Sequence, residues 1–563
     1  MTDVETVSRV YANFRGVDFR GDEVNLTRSP DSINMWKDYQ ETDRIRTRPG
    51  LAQLAKLDEP IYGVFFFRSE MFVHSGRNIF HVNKNGCVSL TENQINPAPS
   101  KTFVFEDKLY FKDGRNYLVY EEQEGRFRDV VGYIPTTSIG RKPAGGGTQH
   151  EDVNLLSDYR INTFLANGED DLYRLDTQSI DEVVSVVVDD VVLSEENDDY
   201  RVDLAAGEIQ FANYPLPPLT AGQDNVKITF KKSVPGYKER ILHCTQLQTF
   251  DNRVFFTGND LFPNTVWHCS LEDPSYCSDL DYYREGVDDA QITGMVAGNN
   301  ALWVFREPSS ANTTVFYHTP TVDDAYGKIY PSRHSGVSVG CIGKAINFHD
   351  DIVFFSDRGM EGISGDIAAE QVLAHRSTMV DRKLTAEKGY KDMILQEWQG
   401  YLFVFIGNKV YLADSRAVFT NENHIEYDWF YWELEHNVTA ACVNGEMLYI
   451  GTDDGRVCSF SDCGKDVESY WVTPKDKFKY PYHQKTTNKR GFVVEATGDL
   501  VVYAKTENSE FEHVATGDYV TDYFVPRLKR KKFKDLQLKF YSLTRFSLEM
   551  ATLEVFVGGY IKR

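Results

Sequence analysis

Between Ile61 and Asp462 one pattern recurs seven times: an apolar strand, a turn of Asp, Asn or Gly, a second apolar strand ending near Gly, and a third strand. The copies begin at Ile61, Lys101, Leu247, Ile292, Lys344, Met393 and Thr439, so successive starts lie 40, 146, 45, 52, 49 and 46 residues apart. All intervals but the second match the roughly 40–50 residues of a propeller blade. A unit of this kind cannot bury its apolar faces alone, and it must stack on its neighbours around an axis. The chain is therefore expected to be all-β, a β-propeller of six to eight blades. Aromatics at 13% agree with a strand-rich fold. The repeat predicts that Phe65, Phe67, Phe103, Phe255, Trp303, Phe354, Phe403 and Tyr449 lie buried between sheets.

The oversized interval reads as an inserted small β-sandwich over residues 151–235, with alternating strands and Asp-Asp, Ala-Gly and Gly-Gln-Asp-Asn turns. The Gly/Pro stretches RKPAGGGTQH (Arg141 to His150) and SVPGY (Ser233 to Tyr237) read as linkers into and out of a separable domain. The expected organisation is an N-terminal interface segment (1–60), a first stretch of propeller (61–150), the insert, the remaining propeller (236–470) and a C-terminal accessory β domain (471–563). Helix is scarce; the best candidate is DRKLTAEKGYKDMILQEW.

Chemistry is sparse. Neither G-x-x-x-x-G-K-[ST] nor H-E-x-x-H occurs, and no His has a second His at i+2 or i+4 to share a metal. Adjacent Asp pairs such as Asp189-Asp190 and Asp350-Asp351 read as turns, because neighbouring strand side chains point to opposite faces. No catalytic residue, cofactor site or metal site is expected, and the chain is read as not an enzyme. Eight Cys without a CxxC pair suggest reduced thiols, with Cys458 and Cys463 flanking a turn. The most apolar run, Val183 to Leu193, is broken by Asp189 and Asp190, so no membrane span is expected. The start lacks the basic and apolar regions of a secretory signal, which suggests a chain that matures in the cytoplasm.

A net charge of −23 repels a polyanion. Against it stands one run of six cations within eight residues: Arg527, Lys529, Arg530, Lys531, Lys532 and Lys534.

The segment FRGVDFRGDEVNLTRSPDSINMWKDYQETDRIRTRPGL resembles the opening of the phage tail nozzle or packaged-DNA stabilisation proteins, the tail hub propellers of short-tailed phages. Arg28-Ser29-Pro30, Ile33-Asn34-Met35 and Arg46-Thr47-Arg48-Pro49-Gly50 carry the resemblance, with DNRVFFTGNDLFPNTVWHCSLEDPSYCSDLDYYREGVDDAQITGM and RHSGVSVGCIGKAINFHDDIVFFSDRGMEGI agreeing. The insert resembles β domains that project from phage tail proteins. The resemblance covers most of residues 12–460 and is weaker beyond.

It implies a structural virion protein: a hexameric ring in the tail, assembled in the host cytoplasm, that retains packaged DNA and guides its ejection. The implied partners are copies of itself, other tail or adaptor proteins, and genomic DNA passing through a channel without sequence-specific binding. Assembly is expected to draw on Arg28, Arg46, Arg48, Arg527, Lys529, Arg530, Lys531, Lys532 and Lys534, facing acidic surfaces of a neighbour. The alternative is a glycan-binding or glycan-degrading propeller on the tail, which would need convergent carboxylates and exposed aromatics.

Overall fold

A computed structural model describes residues 5–38, 43–212, 223–310, 313–324, 327–364, 372–421, 424–462, 464–507, 509–528 and 532–560. The chain is all-β and builds seven four-stranded antiparallel sheets, the blades of a β-propeller. Their first strands, Ile61–Phe67, Lys101–Phe105, Gln246–Phe250, Ile292–Gly298, Ala345–Phe348, Ile394–Trp398 and Val438–Asn444, start within one residue of the seven repeat starts.

The turns explain why the repeat is so regular. In six blades the first two strands are joined by two residues with positive φ: Arg68-Ser69, Glu106-Asp107, Asp251-Asn252, Asn299-Asn300, His349-Asp350 and Gln399-Gly400. Two left-handed residues match the twist of paired strands, and Asn, Asp and Gly adopt that conformation at least cost. Asp189-Asp190 is the same device in the insert, with φ of 43° and 65°.

Inner strands such as Asp351–Ser356 and Tyr401–Ile406 are buried at nearly every position, because both faces of each sheet are covered. Seven of the eight aromatic positions expected between sheets are buried. Tyr449 is the exception: it is half-buried, and its ring packs on Phe66 with centroids 4.8 Å apart.

Two compact units divide the chain, one of Met1–Pro99, Phe305–Val315 and His334–Arg563 and the other of Ser100–Val304 and Phe316–Arg333. In the first, the last blade takes its fourth strand from the N-terminal region. Gly50–Lys56 pairs antiparallel with Arg456–Ser461, Ser461 opposite Gly50 and Arg456 opposite Lys56. The expected separate segments 1–60 and 471–563 form a single 11-stranded sheet. Thr6–Tyr11 pairs with Phe546–Tyr560, Ile45–Thr47 with the same long strand, and Ser32–Ile33 with Ser469–Val472. Trp36 ties this sheet to the sixth blade, stacking on Trp398 at 5.9 Å and meeting Trp432 edge-on at 5.3 Å.

Within the second unit, the insert is a sandwich of a six-stranded and a three-stranded sheet around Phe164, Tyr173, Val186, Ile209, Phe211 and Ile228. Its strands begin upstream of the expected boundary. Thr136–Arg141 pairs with Tyr159–Phe164, and Thr148–Gln149 folds back on it, so the Gly-rich stretch is a hairpin of the sandwich and not a linker. The chain then returns to the blades before re-entering the insert. Leu155 and Leu156 are buried with Phe103, Phe256 and Trp267, and the Leu155 N–H donates to the Cys277 carbonyl at 2.8 Å. The helix candidate also resolves differently: a single turn, Asp381–Leu384, a 3₁₀ turn, Tyr390–Asp392, and then the strand Ile394–Trp398. Its pattern offers no continuous apolar face to hold a longer helix.

Excising 152–232 with a short linker is expected to unfold the second and third blades, since the cut removes Leu155 and Leu156 and orphans the Thr136–Gln149 hairpin. Leu155→Ala alone is expected to cost about 2–5 kcal/mol, read from urea unfolding of the full chain.

Candidate functional site

Nine cations stand out in the sequence, and the fold separates them by burial. Arg28 is 4% exposed; its Nη2 lies 2.5 Å from Asp428 Oδ1, and Nη1 donates to the Arg15 carbonyl at 2.9 Å. Arg15 binds the other oxygen of Asp428 at 2.9 Å, so two guanidiniums hold one buried carboxylate. Arg48 is equally enclosed, donating to Asn34 Oδ1 and to the carbonyls of Pro49 and Glu433, with its guanidinium 5.8 Å from the Trp432 ring. Burial pulls its pKa down to about 10, which leaves it charged at neutral pH. Arg28 and Arg48 are therefore internal ties, a correction to their reading as interface residues: a side chain already enclosed by its own chain has no surface to offer.

Arg46 is half-buried between Asp38 and Asp462. Arg527 and Lys532 are exposed, and Lys534 is half-buried. Lys529, Arg530 and Lys531 lie outside the described residues, as does Cys463; Cys458 is a buried free thiol. Sequence reasoning missed Lys485, fully buried, whose ammonium donates to the carbonyls of Tyr480, His483 and Lys534 at 2.5, 3.0 and 2.6 Å. Burial lowers its pKa.

Two polar clusters have the residue types of catalytic sites. In the fifth blade His375 lies between two carboxylates, Nδ1 at 3.1 Å from Glu361 Oε1 and Nε2 at 2.6 Å from Asp381 Oδ2. Ser377 donates to the other Asp381 oxygen at 2.5 Å. Gly359 is required here: its φ is 132°, and a Cβ would strike Asp381 and Ser377. Burial opposes charge on His375, but the hydrogen bonds and charges of Asp381 and Glu361 outweigh it and raise the pKa to about 10. A His with both nitrogens committed to carboxylates has no lone pair to take a proton from Ser377, so the cluster is a charge clamp on the Asp381 turn. The members are spread over residues 359–381, at spacings that form no short motif.

In the second unit Glu285 and His318 are both fully buried, with Oε1 and Nε2 2.8 Å apart. That approach is close but poorly directed, since neither atom makes a well-formed hydrogen bond to any described group. Ser332 donates to Glu285 Oε2 at 2.5 Å, and His318 Nδ1 lies 2.8 Å from the Tyr330 carbonyl. Ser332 and His318 thus meet at the carboxylate and not at each other, which is not the order a nucleophile needs. Among the described residues no group of three or more His, Cys, Asp or Glu is placed to hold a metal ion, and no helix is long and apolar enough to cross a membrane.

No family model matches the chain, and no curated protein matches it. Among solved structures, the computationally designed Ika8 protein aligns at 11% identity with a TM-score of 0.34, over 73% of this chain and 99% of that one. BamB from Moraxella catarrhalis aligns at 11% identity with a TM-score of 0.35, over 73% and 97%. The N-terminal domain of Nup159 aligns at 9% with a TM-score of 0.32, over 73% and 95%. These scores are too low to carry an argument, and the fold rests on the strand pairing described above.

Arg28→Ala should leave Asp428 buried with one partner and cost about 3–5 kcal/mol in urea unfolding. Arg527→Ala should change stability by less than about 0.5 kcal/mol. Because the His375 pKa is raised on folding, its contribution is fully present below the ordinary value of 6.5 and is lost as pH rises through about 10. His375→Gln should therefore flatten the decline in unfolding free energy between pH 6.5 and 10, a term of at most about 5 kcal/mol.

Proposed function

We propose that the chain is a noncatalytic structural subunit of a phage tail, a nozzle-like hexameric ring that retains packaged DNA and guides its ejection. The observation that carries this reading is where the family-like residues sit. Ser29 donates from Oγ to the Val472 carbonyl, Asn34 from Nδ2 to the Glu468 carbonyl, and Arg28 pairs with Asp428. Thr47 bonds Ser469, and Gly50 opens the closing strand of the last blade. The residues that resemble the family's opening segment thus join its propeller to the C-terminal sheet, so a chain that shares them shares a structural joint and not an isolated motif.

Electrostatics supports the same reading. Among the described residues seven Lys and Arg and nine Asp and Glu are buried, a near-neutral interior, so nearly all of the net charge of −23 lies on side chains that are not buried. A channel lined by such a surface would repel phosphate and let DNA pass without sticking.

Native mass spectrometry of the purified chain should give a sixfold multiple of 64.4 kDa, and proteomics of purified particles should find the chain in the virion. A monomer that depolymerises a capsular polysaccharide would replace this reading with the glycan-active one.

A further inference from the structure

Charge is unevenly divided along the chain. Residues 136–232, which hold the insert, carry 8 Lys and Arg against 18 Asp and Glu, whereas residues 471–563 carry 17 against 11. In sequence, the first region is therefore strongly acidic and the second basic, at −10 and +6.

In each region charged side chains border exposed apolar ones. In the insert, Val191–Leu193 ends the six-stranded sheet, pairing on one side only with Glu182–Val188. Val192 is 69% exposed on this open edge. Asp189 and Asp190 precede it, Glu195 and Glu196 follow, and no Lys or Arg occurs from Val183 to Tyr200. An open edge with exposed valines is a template for another chain, and a ring of like charge selects against all but a basic one.

The C-terminal sheet presents the complement. Tyr523 lies opposite Glu495 on the strand Val493–Thr506, two residues from the exposed Val493. Val525 and Arg527 pack over Gly491, next to Val493. Tyr523 is 59% exposed. Lys489 and Arg490, on the turn that ends at Gly491, are exposed, as is Arg527. These three cations make no ion pair with any described residue. Exposed aromatic and aliphatic groups bordered by unpaired cations form a docking surface for an acidic apolar edge.

We infer that the patch around Tyr523, Val525 and Arg527 on one copy binds the acidic edge Val191–Leu193 of the insert on a second copy. The contact is heterologous, two different surfaces meeting head to tail, which is the geometry that closes a ring when the rotation between copies divides a full turn. This deepens the ring reading by naming the two faces that meet, and it rests on that reading only for the closure of the ring.

The test is a charge exchange in the full chain, followed by sedimentation velocity at several salt concentrations. One variant carries Asp190→Lys, Glu195→Lys and Glu196→Lys; the other carries Lys489→Glu, Arg490→Glu and Arg527→Glu. All six positions are exposed, and each variant is first checked for the wild-type thermal transition. Each alone should associate at least about tenfold more weakly than the wild type at low salt, because every contact then sets like charge against like. Mixed in equal amounts they should associate again, since the basic edge of the first now meets the acidic patch of the second. Wild-type association by either variant alone, or a mixture that stays monomeric, overturns the inference while leaving the ring reading intact. A wild-type chain that is monomeric throughout sinks both.

Discussion

The pairing of Gly50–Lys56 with Arg456–Ser461 is the constraint on which the rest of the first unit depends. Without it the last blade has three strands, and its outermost one exposes a full row of backbone donors and acceptors. With it, the residues just before the first blade become the outer edge of the last, and the two blades share a core through Ile61, Val64, Val73, Ala440 and Val457. The cost is kinetic. Partners some 400 residues apart must meet before the sheet is complete, and contacts of such separation slow folding. The N-terminal strands also pair with Ser469–Val472 and Phe546–Tyr560, so the blade closure and the C-terminal sheet are locked by the same roughly 50 residues.

The blades were legible in the sequence because everything that defines them is local. Strand, two-residue turn and strand fall within about 15 residues, and left-handed turns leave the Asp, Asn and Gly signature that marks the repeat. The 11-stranded sheet was not legible for the opposite reason. Ser32–Ile33 and Met35–Trp36 are two residues each, too short to show alternation, and Ser32–Ile33 finds its partner, Ser469–Val472, far away in sequence. The insert falls between these cases. Its sandwich strands were visible, but Arg141 to His150 has linker composition and hairpin function, because Gly145, Gly146 and Gly147 all take positive φ to turn the strand back. Composition reports that a backbone must bend; it does not report whether the bend separates domains or pairs strands.

The same limit governs the charged residues. Arg28 and Arg527 each lie within two residues of a Pro, yet one is enclosed by Asp428 and the other faces solvent. What distinguishes them is a partner 400 positions away, which no local pattern encodes. Lys485 is the extreme case: a lysine among polar residues that proves fully buried because three carbonyls converge on its ammonium. The His375 cluster was hidden for a related reason. Glu361, His375 and Asp381 come from two strands and a turn of one blade, at spacings of 14 and 6 that match no metal or catalytic pattern.

These buried ionic groups also bear on what the propeller can do. A buried charge is tolerated only when opposite charge and hydrogen bonds surround it, and removing one partner is far more costly than never having had either. The interior charges therefore act on specificity: Asp428 with Arg15 and Arg28 fixes the N-terminal segment on the sixth blade, and His375 with Glu361 and Asp381 fixes the turn after the fifth. Each tie sits where a segment crosses from a blade to something outside the repeat. A stack of apolar sheets tolerates slippage between similar neighbours; a buried carboxylate facing two guanidiniums does not. Apolar burial thus supplies the stability of the blades, whereas ionic pairing supplies the register between the blades and the added segments.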